Sequence, residues 1–220
     1  MSEEWGRGFS EETLKVRNGR KTIMIDETGD EGLDSDPPRY GIAAAITEQP
    51  EAIAEIAREK REELGDSELK YRTALPETRA YMSEELAKTD VKVVGTYIDK
   101  KALDNPRWWY RKKNRSYVHR NLLSEFAEDL MDEDIDGARV ILDNHTAIKS
   151  KVGKRTIEGA AADRRDLGIV TQEDSLDGVN KDFMQGADFA IAEYKKTIAG
   201  KEPAIPVKSK RITEKNRRKK

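Results

Sequence analysis

An apolar strand that runs straight into acids, Thr22-Ile23-Met24-Ile25-Asp26-Glu27-Thr28-Gly29, constrains this chain more than any other segment. A run of that kind belongs in the centre of a sheet that is covered on both faces. Asp26 then sits at the rim of a core, where an unpaired carboxylate is costly unless a cation or hydrogen bonds compensate it. That makes Asp26 a candidate metal ligand, with Glu27 beside it as a supporting acid. The competing reading is a solvated acidic turn. Gly29 permits a bend with φ > 0, and a second apolar run from Arg39 to Ile46 reads as the returning strand of a hairpin.

Composition narrows the chemistry. The 220 residues suit one large domain, and no linker separates two cores. We expect three parts: an N-terminal adaptor segment over 1–20, an α/β domain over 21–200, and a basic tail, expected to be disordered, over 201–220. No apolar run approaches the roughly 18 residues that a membrane span needs, and the N-terminus is polar and acidic, so a cytoplasmic protein without membrane contact is expected. The absence of cysteine excludes disulfides, thiolate nucleophiles and Cys-type zinc sites. With only His119 and His145 as imidazoles, any bound metal must be held by carboxylates, which selects Mg²⁺ or Mn²⁺. The net charge of −2 conceals a basic end, Lys208 to Lys220, which includes Arg217 and Arg218. Such a segment either contacts nucleic acid or serves only as a solubilising end.

Periodicity supplies the elements. Pro50 opens an amphipathic helix that Gly65 ends, with Ile53, Ile56, Ala57 and Leu64 as its stripe. A short run containing Glu68 and Lys70 follows, then a helix from Pro76 to Lys88. Val91 to Asp99 is rich in β-branched residues and reads as a strand. Arg115 to Met131 has helical spacing, and Ala138 to Asp143 repeats the pattern of a buried strand ending in an acid. Gly168 to Glu173 is expected as a short strand, and Asn180 as the cap of a last helix. Alternating strands and helices after a hairpin describe a single α/β domain with a mixed sheet. If the strands ending in Asp26 and Asp143 are parallel neighbours, the two carboxylates meet at one edge. Asp188 lies at the margin of the apolar face of the last helix, where Gly186 and Ala187 would let that helix approach the sheet.

Two further segments bear on function. Trp108, Trp109, Arg111, Lys112 and Lys113 interleave aromatics with cations, a pattern that stacks on unpaired bases while contacting phosphates, or that anchors packing instead. His145 follows Asp143 closely and is read either as a group that supports the metal ligands or transfers a proton, or as an ordinary surface histidine. Loops of the Gly-x-x-x-x-Gly-Lys-Ser/Thr kind, His-Glu-x-x-His and Gly-x-Ser-x-Gly are all missing, which removes the usual signatures of nucleotide triphosphatases, zinc proteases and serine hydrolases.

Four motifs in order, Asp26-Glu27-Thr28-Gly29, Glu68-Leu69-Lys70, Ile141-Leu142-Asp143 and Gln185-Gly186-Ala187-Asp188, resemble the domain-of-unknown-function-3800 family. The resemblance spans roughly Lys21 to Ala199, with Thr28 standing where the family commonly has Ser. It implies a ribonuclease-H-like fold, with Asp26, Glu68, Asp143 and Asp188 as the metal-binding and catalytic set of a nuclease. Two-ion phosphodiester hydrolysis needs several carboxylates, which agrees with that set. Lys70 either meets a phosphate or balances the acids. The alternative function is a non-catalytic module of the same fold that binds metal or nucleic acid.

Overall fold

The structure, a computed structural model, describes residues 21–29, 39–100, 115–143, 150–161, 167–171 and 179–212. The elements run β1 (Thr22–Thr28), β2 (Arg39–Thr47), α1 (Pro50–Leu64), α2 (Pro76–Leu86), β3 (Lys92–Asp99), α3 (Arg115–Leu130), β4 (Arg139–Leu142), α4 (Ser150–Ala161), β5 (Gly168–Thr171), α5 (Val179–Ile198) and β6 (Val207–Ile212). Six strands form one sheet in the order β5-β4-β1-β2-β3-β6. Strands β1, β2 and β3 pair antiparallel in succession, while β4 lies parallel to β1, β5 parallel to β4 and β6 parallel to β3. This is the expected α/β architecture: a ribonuclease-H-like mixed sheet flanked by helices in a single domain. No described helix is long and apolar enough to cross a membrane.

Strand β1 is apolar on both faces because both are covered. Ile23 and Ile25 pack with α3 and α4 residues such as Leu122, Phe126 and Ile157, whereas Met24 joins Ile53, Phe183 and Ala187 of α1 and α5. The second face is built by close approach. A Cβ on Gly95 of β3 would stand 2.5 Å from Tyr194 Cζ, so the bare strand makes room for that fully buried ring. Gly186 does not bring α5 to the sheet, as the sequence suggested, but to α1, where a Cβ would stand 2.8 Å from the Ile53 carbonyl oxygen. Gly29 has φ 87°, the bend expected at the end of β1.

Most boundaries fall within two residues of the sequence reading. Helix α1 starts at Pro50 and stops at Gly65, whose φ of 69° lets its amide close the last turn. Leu64 is not part of the buried stripe and is 40% exposed. Asn180 is not a cap but lies inside α5, buried, where its Oδ1 accepts from Arg139 at 2.9 Å. Helix α4 had no counterpart in the sequence reading.

The largest correction concerns the basic end. The supposed tail from 201 contributes β6, which pairs with β3 from Val93↔Val207 to Ile98↔Ile212. Lys208 bonds Glu133 at 2.6 Å and Lys210 bonds Asp129, so these cations are neutralised within the fold. A lysine-rich edge strand is stable here because its partner strand supplies the ladder and its cations find acids below them. The domain therefore extends to at least Ile212. Segment 1–20 and the end beyond 212, with Arg217 and Arg218, lie outside the described residues.

Candidate acidic site at the strand ends

The parallel register of β1 and β4 sets Ile25 opposite Leu142, and the Asp143 amide donates to the Ile25 carbonyl at 3.1 Å. Asp26 and Asp143, 117 positions apart in sequence, are thus carried to one edge of the sheet where the ladder of two parallel strands ends. Beside them opens a cavity of about 370 Å³, which Asp26, Glu68, Asp143 and Asp188 all line. Lys70 and Lys181 bring positive charge to its lining, Gln185 an amide, and Met24, Leu69 and Met184 apolar surface.

Helix α5 fixes the irregular segment that bears Glu68 and Lys70. Gln185 Oε1 accepts the Leu69 amide at 2.8 Å, and Asp188 Oδ2 accepts the Tyr71 amide at 2.9 Å. Two side chains one turn apart therefore satisfy backbone donors that no regular ladder reaches. Glu68 is half exposed and pairs with Lys70 at 3.1 Å, which supports the charge-balancing role for that lysine.

Electrostatics single out the end of β1. Burial, then the charges of Asp143 and Asp188, push the Asp26 carboxyl up to about 7, against the opposing Glu27 amide, which donates to Asp26 Oδ1 at 2.7 Å. Burial and the neighbouring Asp26 push Glu27 up to about 9. Two adjacent acids held back from ionising, with two more nearby, make a region short of positive charge.

The donor set fits a hard divalent cation in kind: oxygen ligands, several carboxylates and no sulfur. Among the described residues, however, no three of His, Asp or Glu are gathered tightly enough to hold one ion as they stand. Asp188 and Glu68 are engaged instead with the Tyr71 amide and with Lys70.

His145, Trp108, Trp109, Arg111, Lys112 and Lys113 lie outside the described residues, so the readings on them rest on sequence alone. Lys181 was not singled out from sequence, and Gln185 only as a motif residue. The signal was available in their spacing, since Lys181, Met184, Gln185 and Asp188 recur at i, i+3, i+4 and i+7 on one face of α5. No protein-family model matches the chain, and no curated protein matches it closely enough to suggest kinship.

Proposed function

We propose that this chain is a divalent-metal-dependent phosphodiesterase that acts on nucleic acid, akin to the domain-of-unknown-function-3800 family and working in the cytoplasm. The observation that supports this most is the arrival of Asp26, Glu68, Asp143 and Asp188 at one cavity from three strands' and helices' worth of intervening chain, with Asp26 resisting ionisation up to about 7. Four acids that line one cavity, one of them with a carboxyl of raised pKa, favour an external positive charge.

In this reading the four acids hold Mg²⁺ or Mn²⁺, which when bound polarises a phosphoryl oxygen and lowers the pKa of water. The chain's own part is placement. Asp26 and Asp143 are fixed by the β1–β4 ladder. Glu68 is held through the amide of Leu69, its neighbour, on Gln185, and Asp188 through the amide of Tyr71. Met24, Leu69 and Met184 give the cavity apolar walls that limit bulk water.

One observation favours the alternative, a non-catalytic module: no three acids stand ready as a ligand group among the described residues. Metal-dependent cleavage of single-stranded and duplex RNA and DNA decides between them. Asp143→Asn is expected to lower cleavage by about 10–100-fold, the loss for a disturbed metal site, while leaving nucleic-acid binding intact. A wild-type protein that binds these substrates but cleaves none of them with either metal would establish the non-catalytic reading.

A further inference from the structure

Gln185 is 6% exposed and only one end of its amide is used. The backbone amide of Leu69 can only donate, so the atom facing it must be Oε1, and this fixes which end is which. Nε2, a pure donor, is then the other end, and it is buried without a partner among the described residues. A shielded donor of this kind calls for an acceptor from outside the fold. Four acids line the cavity that Gln185 lines, Asp26, Glu68, Asp143 and Asp188, and none of them accepts from Nε2.

One turn earlier on the same stripe of α5 stands Lys181, which is exposed and lines the same cavity. Along that stripe the side chains pass from a cation, through a donor amide, to a carboxylate. A neutral acceptor such as a base carbonyl would need the donor but not the lysine. A phosphate oxygen needs both, because an anion entering an acid-rich cavity must be compensated along its approach.

We propose that Lys181 and Gln185 form an anion subsite beside the acid cluster that takes the non-bridging oxygens of a nucleic-acid phosphate, Gln185 Nε2 donating to one oxygen and Lys181 supplying charge at the entrance. This rests on the phosphodiesterase reading of the cavity and assigns it a substrate-facing wall. Gln185 is both a clamp on the segment bearing Glu68 and a phosphate contact, and Lys181 is a contact only.

The test is equilibrium binding of a fluorescent single-stranded oligonucleotide, in Mg²⁺, to the full chain carrying Asp143→Asn, so that cleavage of the probe is suppressed, and to that parent with Gln185→Glu, Gln185→Met or Lys181→Gln added. A second oligonucleotide carries methylphosphonate linkages, which replace a charged phosphate oxygen by methyl. Gln185→Glu retains an acceptor for the Leu69 amide but adds a buried carboxylate to the acid cluster, so it should lower the melting temperature as well as the affinity, the latter about tenfold, the effect of one hydrogen bond to a charged group. Gln185→Met removes the donor without adding charge and should weaken binding as well. Lys181→Gln should weaken binding and reduce the log–log salt slope by about 0.7. On the uncharged methylphosphonate oligonucleotide, Lys181→Gln should bind like its parent, because the charge that Lys181 meets is gone. Unchanged affinity in Gln185→Met or in Lys181→Gln overturns the proposal, as does the same Lys181 dependence on the methylphosphonate strand or a parent protein that binds no oligonucleotide. Should the Gln185 variants fail to fold, the exposed Lys181→Gln decides alone. Binding that depends on both residues without any cleavage by the wild type keeps the subsite and removes the hydrolytic reading instead.

Discussion

Replacing Asp26 by Asn should make the metal-free protein more stable, an unusual result for a residue within a central strand. The isosteric amide keeps an oxygen for the Glu27 amide, which now donates to Asp26 Oδ1 at 2.7 Å, and removes the charge that burial, Asp143 and Asp188 oppose. Elevation of the carboxyl from 3.8 to about 7 corresponds to about 4 kcal/mol against the ionised form, at about 1.4 kcal/mol per pH unit. Sharing of the proton with Glu27 reduces this, and a gain of about 2 kcal/mol, or roughly 4–8 °C in Tm, is the working figure. The sign follows from the direction of the shift. Because the folded protein holds the proton more tightly than the unfolded chain, the cost is absent below about 3.8, grows as pH rises and is complete above about 7. Calorimetry in chelator should therefore show the advantage of Asp26→Asn at pH 8 and a smaller one at pH 5. Mg²⁺ or Mn²⁺ at a hundredfold excess over Kd should stabilise the wild type by about 2.7 kcal/mol and the variant much less. An Asp26→Asn protein that melts at or below the wild type in chelator at pH 8 would refute the electrostatic account, and a wild type whose Tm ignores both cations would remove the metal assignment.

Two further outcomes test the fold around the site. Gly95→Ala should lose about 1–3 kcal/mol in chemical denaturation, because its Cβ would stand 2.5 Å from the buried Tyr194 ring, and a neutral substitution would show that α5 can withdraw from the sheet. Deleting 207–220 should lower Tm sharply or prevent soluble expression by stripping β6 from β3, whereas deleting 213–220 should leave Tm unchanged and only flatten the salt dependence of nucleic-acid binding. Equal effects of the two deletions would contradict the role of β6.

What sequence alone determined here is local and periodic. The apolar run into Asp26, the same pattern into Asp143, Pro50 and Gly65 around α1 and the stripe of α5 each state which face is buried and where an element stops. Those signals need no knowledge of the neighbour, because burial of a face is written in the residues that form it. The tertiary structure decided what depends on the element across the way. Lys208, Lys210 and Arg211 read as a charged tail until β3, Glu133 and Asp129 turn them into an edge strand. Asn180 read as a cap until Arg139 claimed its side chain inside the helix. The fixing of Glu68 depends on hydrogen bonds that the Leu69 and Tyr71 amides donate to Gln185 and Asp188, more than a hundred residues away. Such pairings carry no periodic signature, because either partner alone is an ordinary polar residue and only the packing of α5 against the sheet brings them within hydrogen-bond reach.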